Sequence, residues 1–409
     1  MKQFIELSEA EFNLFSTHHP KENYLQTVEM AHLLKIRGWK VNYVGLKNDE
    51  QIIAAAMLSG LPIKFGYYYN IAGGPLMDYE NQEEVEFFIN GLKKYTKERK
   101  GLYLNFTPNL VYQYRDSDGN AIGQPDHKIH NTLMACGLQH DGFKTGYANE
   151  NPRIVYTKDL TNITTKELTK TYNRSTRTKV NKTAKSGIKL RELSRDELPF
   201  FENVMHHTAD RQDFHDKDLA YYETLYDSFN GKAHFMVTEL NFFTYAKDIH
   251  EKIEKLNKKI EQLKDIPAKE NQRENAKVEL NALEVRLEEI KDIMKEDIEE
   301  EEILAAGLFI ENAREMLFLF GGMYDRYKNF LSPSYYLQHA MMEKTIEKGL
   351  SRYNFYGISG IYDGSDGVLN FKKGFEGIVE EQVGTYTLVV NTQKYQLYRM
   401  LKNLVAKTG

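Results

Sequence analysis

The sequence predicts an α/β fold built twice, with a long helical hairpin inserted into the second copy. Three observations carry that prediction. The order of apolar segments repeats, each half reading helix, strand, strand, strand ending in a glycine pair, helix, strand. The glycine pairs, Gly73-Gly74 and Gly321-Gly322, close the third strand of each half. Where the first half has a short hairpin turn, residues 246–302 of the second carry apolar residues at alternating four- and three-residue steps, the spacing of two helices packed along one seam.

In the first half, Ser8 with Glu11 three residues on forms a capping box for a first helix. A second helix spans 24–37 and stops at Gly38. Runs 41–46 and 52–58 read as strands around the turn 47–50, and 67–71 as a third. Helical periodicity returns over 83–100, a strand over 102–106, turn chemistry over 116–120 and a helix over 128–136. The second half follows with a helix at 219–229, strands at 234–240, 304–310 and 316–320, a helix at 334–348, and strands at 353–358 and 386–390. This divides the chain into 1–160, then 161–245 with 303–409, and the inserted arm 246–302.

The arm's seam is Ile249, Ile253, Leu256, Ile260 and Leu263, answered after Pro267 by Leu280, Leu283, Leu287, Ile290 and Met294. Such a hairpin would project roughly 30 Å from the body at 1.5 Å per residue. It carries 12 basic and 18 acidic residues, so as a whole it is a poor partner for phosphates. Only the lysines of its first helix, such as Lys252, Lys255, Lys258 and Lys259, offer that chemistry.

At 409 residues and 41% apolar composition, the chain is long enough to bury a sizeable core in two or three domains. A net charge of −5 gives no global field for nucleic acid. The single cysteine, Cys136, rules out an internal disulfide framework and reads as a buried structural thiol. Acids stand where a signal peptide would need an apolar run, and no stretch approaches 18 apolar residues. A soluble, intracellular protein is expected.

Positive charge concentrates in one place, residues 166–191, with nine basic side chains against Glu167. Lys170, Arg174 and Arg177 are spaced four and three, and Lys182 and Lys185 form a second pair, so helical winding would gather each set on one face. Two readings stand: a solvated helix face, or a surface for a polyphosphate backbone. A second candidate lies near the end of the chain. Gly357-Ile358-Ser359-Gly360 leaves a strand, residues 363–367 make a tight loop, and Phe371-Lys372-Lys373-Gly374-Phe375 follows. Adjacent lysines between aromatics can hold an anion or a developing oxyanion; equally, the aromatics can be core anchors and the lysines solvent-facing. The P-loop, zinc-ligand and GxSxG patterns are missing. An enzyme so equipped needs a substrate that arrives already activated.

Several stretches together resemble the Fem family of peptidoglycan bridge aminoacyltransferases, its MurN-like and FemA-like members in particular. They are YLQTVEMAHLLKIRGWKVNYVGLKND, GGPLMDYEN, LYLNFTPNLVYQYRDSDGN, TADRQDFHDKDLAYYETLYDSF, SRYNFYGISGIYDGSDGV and FKKGF, and they span nearly the whole chain. The resemblance implies two GNAT-like acyltransferase domains with an antiparallel coiled-coil arm in the second. It implies transfer from an aminoacyl-tRNA ester to an amine of a lipid-linked or UDP-linked peptidoglycan precursor, with no cofactor and no metal. Alanine is the expected residue, with serine and glycine open. By position, Phe371 and Lys372 fall on the family's catalytic Phe-Lys pair, with Lys373 beside them for substrate. Arg211 falls on an arginine for the precursor's diphosphate and Lys35 on a second phosphate contact. Arg174, Arg177, Lys182 and Lys185 become the expected tRNA surface. Further expectations are a cytoplasmic location, contact with the inner face of the membrane, and partner Fem-type enzymes. One departure is Thr107-Pro108, where many relatives have Asp-Pro, so no carboxylate base stands there. Two rivals remain open: a non-catalytic binding protein using the arm, and a GNAT enzyme using acyl-CoA.

Overall fold

The structure, a computed structural model, describes residues 1–147, 151–212, 216–295, 298–327 and 330–408, the last residues of two helices (211–212 and 405–408) by backbone alone. Its strands are β1 Lys2–Leu7, β2 Lys40–Asn48, β3 Gln51–Ile63, β4 Gly66–Gly73, β5 Gly101–Pro108, β6 Val111–Arg115, β7 Ala121–Ile122, β8 Gln139–His140, β9 Ile154–Asp159, β10 Lys189–Glu192, β11 Ala233–Leu240, β12 Glu302–Glu311, β13 Glu315–Met323, β14 Arg352–Gly357, β15 Ile378–Gln382 and β16 Tyr386–Val389. Its helices are α1 Glu9–His18, α2 Val28–Ile36, α3 Gln82–Glu98, α4 His127–Ala135, α5 Thr165–Leu168, α6 Arg174–Ala184, α7 Leu198–Gln212, α8 Leu219–Phe229, α9 Phe242–Gln262, α10 Glu270–Ile293, α11 Pro333–Glu347, α12 Gly367–Lys372 and α13 Thr392–Thr408.

The strands form two sheets, one of seven in the order β1-β2-β3-β4-β5-β16-β8 and one of nine in the order β10-β11-β12-β13-β14-β9-β15-β6-β7. The repeat is visible in the pairings. The run β2-β3-β4-β5 is antiparallel, antiparallel, parallel, and β11-β12-β13-β14 has the same sequence of senses. The helix joining each parallel pair is the crossover such a pair requires. It is α3 in the first unit and α11 in the second.

One expected element sits elsewhere. The strand at 386–390, read as completing the second half, instead pairs antiparallel with β5 and joins the first sheet. Conversely, β6 of the first half pairs with β15 and β7 pairs with β6, so both extend the second sheet. Both exchanges cross the division expected at residue 160. A single strand carries no mark of which sheet it will join, because its alternation of apolar residues satisfies either.

Cores lie on both sheets, and a third apolar cluster joins the units. Tyr24 and Leu33 from the first half pack with Leu198, Phe201, Tyr222 and Phe235 of the second. The Tyr24 and Tyr356 hydroxyls meet at 2.9 Å across that boundary. Cys136 is the C-cap of α4 and half-buried, and burial pushes its thiol up, away from the reactive thiolate.

The arm begins at once after β11. Asn241 caps α9 by accepting from Thr244 N at 2.8 Å, so the helix starts four residues earlier than its heptads suggested. Ile249, Ile253, Leu256 and Leu263 are buried on one helix and Ile290 on the other, while Ile260, Leu280, Leu283 and Leu287 are partly covered. At the root, Phe242 is fully buried and stacks on Tyr327 at 5.7 Å. Arg286 donates to the carbonyl of Phe330 and lies over its ring.

Candidate active site

The two parallel pairs differ in how far they zip, and that difference makes the site. In the first unit β4 stays paired with β5 from Tyr67↔Gly101 to Gly73↔Pro108. In the second, β13 and β14 pair only at Glu315↔Arg352, Met316↔Tyr353 and Leu317↔Asn354. Beyond Leu317 they part, leaving a groove of about 1380 Å³ walled by residues of β13 from Phe318 on and by Phe355 to Ser359. Among the described residues, the main-chain groups of β13 beyond Leu317 pair with no strand on the groove side, which leaves that edge open toward a ligand.

The parting has local causes. β14 carries a bulge between Asn354 and Gly357. Within it Tyr356 adopts φ +65°, and its N–H donates to Asn354 Oδ1 at 2.8 Å. On β13, Gly322 lets helix α7 close in, since a Cβ there would stand 2.2 Å from Thr208 Oγ1.

One end of the groove is closed by α12. Its N-cap, Asp366, accepts from Val368 N at 2.8 Å and Leu369 N at 3.1 Å, from Ser359 N at 3.0 Å and Oγ at 2.6 Å, and from Tyr147 OH at 3.1 Å. Burial alone would raise this carboxyl, but these donors hold it below the usual range. Asp366 thereby locks the loop after β14 to the helix bearing Phe371 and Lys372.

Lys372 ends α12 with only 4% of its surface exposed. Its Nζ donates to the carbonyl of Gly357 at 2.6 Å. Burial brings its pKa down to about 7, against a smaller upward pull from Asp366. An amine so placed exchanges its proton near neutrality, which suits it to respond to charge forming in the groove. Phe371 stands beside it, edge-on to Tyr335 at 4.7 Å and to Phe375 at 5.7 Å.

Behind the turn lies Lys158 on β9, which the sequence reading missed. Its Nζ donates to the carbonyls of Phe375 and Glu376, each at 2.8 Å, and burial lowers its pKa to about 8. Glu376 is left-handed, at φ +58°. This buried clamp holds the chain that follows Lys372. The N-terminus of α6 completes the support, because Asn173 N donates to Gly374 O at 3.1 Å. A Cβ on Gly374 would meet Thr176 Oγ1 at 2.2 Å.

The other expected residues are dispersed. Lys373 turns outward and pairs with Asp118 at 3.4 Å, away from the groove lining. Lys35 lies on α2, paired with Glu9 at 3.1 Å, also outside the lining. Arg211 falls in the last turn of α7, three residues beyond the groove-lining Thr208, and its side chain lies outside the described residues. Arg174, Arg177 and Lys182 are on α6 and Lys185 is its C-cap; among the described residues none of the four makes an ion pair. Lys170 belongs to a separate turn, Thr169–Thr171, split from α6 by the cap at Asn173. Lys179 lies roughly 140° round the helix from Arg174. There it reaches the groove, with Nζ 3.2 Å from Tyr335 OH and 4.2 Å above its ring. Thr107 lines a separate small cavity of about 70 Å³ between the units, whose one carboxylate among the described residues is the partly buried Glu315.

Two α/β units in tandem, with one of the two parallel pairs opened over a buried lysine, define the class by fold: a tandem GNAT-like protein. The chain matches the family model described as the FemAB family over residues 7–403. It is 34% identical to aminoacyltransferase FemA of Staphylococcus epidermidis, covering 98% of this chain and 99% of that one. It is 33% identical to aminoacyltransferase FemA of Staphylococcus aureus over the same shares. In fold it resembles the crystal structure of FemX, with a TM-score of 0.77 at 23% identity over 97% of this chain and 99% of that one. A tandem GNAT protein from the clavulanic acid biosynthesis pathway matches at a TM-score of 0.50 and 9% identity, over 95% and 99%. The chain belongs to the FemAB family, and it is an aminoacyltransferase.

Proposed function

We propose that this aminoacyltransferase moves the acyl group of a charged tRNA onto an amine of a peptidoglycan precursor, lengthening the interpeptide bridge by one small residue, alanine before serine or glycine. The observation that carries the reading is Lys372, buried at the end of an open groove with a pKa near 7. The amine nitrogen attacks the ester carbonyl and the carbonyl oxygen takes up negative charge. Collapse expels the ribose hydroxyl, which gains a proton, and leaves an amide. Protonated Lys372 stabilises the oxyanion. With no carboxylate at Thr107, the attacking amine arrives neutral or loses its proton through substrate and water. The acceptor is lipid-linked or UDP-linked, Arg211 and Lys35 serve its phosphates, and the enzyme works in the cytoplasm at the inner face of the membrane, alongside partner Fem-type enzymes. The arm is a support for tRNA or a partner.

The tRNA reading rests on α6, whose charges make no ion pair among the described residues and begin beside Gly374, and whose Lys179 reaches the groove. Replacing Arg174, Arg177, Lys182 and Lys185 by Gln is expected to weaken tRNA binding tenfold or more at low salt. It should also reduce the slope of log K against log salt by about 3, as four lost phosphate contacts require. Filter binding across a salt series measures both, and an unchanged slope returns α6 to a solvated face.

A second reading, transfer from acyl-CoA, is favoured by the free main-chain edge of β13 alone. Incubation of the enzyme and a precursor with either radiolabelled Ala-tRNA or acyl-CoA decides: label entering the branch from tRNA supports our reading, and label entering only from acyl-CoA overturns it.

A further inference from the structure

The C-terminal helix α13 has its polarity reversed. It rests on the first sheet through Tyr395 and Tyr398, whose rings lie 4.9 and 6.1 Å from Tyr103 of β5. A surface helix docked in this way normally turns polar residues outward. Here the outward stripe holds Leu397, Met400 and Leu404, at 44%, 61% and 60% exposure, recurring at steps of three and four. Three large apolar side chains thus stand exposed on the face opposite the docking tyrosines.

The charge of the helix says what covers them. Thr392–Thr408 contains Lys394, Arg399, Lys402 and Lys407 and no acid, in a chain whose net charge is −5. In a two-fold dimer built on this face the same basic helix would meet itself, like charge against like, whereas an anionic lipid surface offers the opposite sign. An aromatic row continues from the helix. Tyr103 packs on Tyr68 at 4.9 Å, and Tyr68 on Trp39 at 6.3 Å. Rings of this kind favour the boundary between headgroups and acyl chains. Among the described residues no helix is long and apolar enough to cross a membrane, so such a helix lies along the surface.

We infer that α13 is an interfacial helix that seats this enzyme on an anionic bilayer, with Leu397, Met400 and Leu404 entering the headgroup boundary and the positive field of Lys394, Arg399 and Lys402 drawing the helix to the charged surface. The surface is distinct from the catalytic groove, and the inference holds whichever acyl donor and acceptor the groove takes.

The test is co-sedimentation of the full-length protein with vesicles of phosphatidylcholine containing 30% phosphatidylglycerol, against vesicles of phosphatidylcholine alone. Binding to the anionic vesicles is expected, with a blue shift in the emission of Trp39, the sole tryptophan. L397Q/M400Q/L404Q should weaken it tenfold or more, and the single Met400→Gln should weaken it measurably. Both keep the docking tyrosines, and transfer to a water-soluble precursor should be unchanged. K394Q/R399Q/K402Q should abolish the preference for anionic vesicles. Failure of the wild type to bind, or equal binding by the apolar triple variant, overturns the inference. A concentration-dependent dimer in sedimentation equilibrium that the triple variant disperses assigns the stripe to a second copy instead.

Discussion

Lys372→Met is expected to lower the rate of aminoacyl transfer by about 10²–10³-fold, the loss that follows removal of one oxyanion donor, with the fold intact. Methionine fills nearly the same volume and relieves the protein of a buried amine that costs stability whenever it is charged. The pH dependence gives the effect a second handle. Folding lowers the Lys372 pKa to about 7, so between there and the ordinary lysine range the unfolded chain binds more protons than the folded one. Stability from this group therefore rises as pH climbs through 7 toward 10. Below 7 the wild type carries the cost of a buried cation that the Met variant lacks. Urea titrations at pH 6 and pH 9 should show the Met variant ahead of the wild type at pH 6, with the gap closing at pH 9. In catalysis the sign is opposite, since the protonated amine is the active form: kcat should fall as pH rises through about 7, and Lys372→Arg should remove that alkaline limb. An alkaline limb that persists in the Arg variant assigns it to another group.

Lys158→Met is expected to be the most damaging change outside the groove. Two carbonyls, those of Phe375 and Glu376, lose their shared donor in a buried setting, and each unsatisfied group costs about 1–3 kcal/mol. A total loss of about 2–4 kcal/mol should appear as a lower denaturant midpoint with unchanged m. Because the clamp fixes the chain just past Lys372, kcat should drop at least tenfold with KM less affected. A purely structural lysine would lower the midpoint and leave kcat, measured well below the transition, at the wild-type value.

The repeat and the arm were legible because each is written in local spacing, whereas Phe371 and Lys372 stood out from their neighbours only through the family resemblance. The Gly-Gly ends of both third strands marked corresponding places, and β4 with β5 and β13 with β14 occupy them as the two parallel pairs. What local spacing does not encode is partnership at a distance. Tyr386–Val389 alternates as well in one sheet as in the other, so its place beside β5 was hidden. Lys158 reads as an ordinary strand lysine until the chain 217 residues later brings the carbonyl of Phe375 to it. Lys179 was counted with its basic neighbours, yet its position on the opposite face of α6 turns it into the groove. The same limit separated Lys373 from Lys372: adjacent letters, but one buried and the other paired with Asp118 on the surface. The opening between β13 and β14 had no signature beyond Asn354 and Gly357, whose bulge shows only in the pairing register.

The central claim is that Lys372 in the opened groove transfers an aminoacyl group from tRNA. Single-turnover transfer from radiolabelled Ala-tRNA to a lipid-linked peptidoglycan precursor, run side by side for the wild type and Lys372→Met, tests it most directly. One labelled residue added per precursor branch by the wild type is expected, with a rate lower by about 10²–10³-fold for the variant. Equal rates for the two proteins, or a wild type that leaves Ala-tRNA untouched while accepting acyl-CoA, would contradict it.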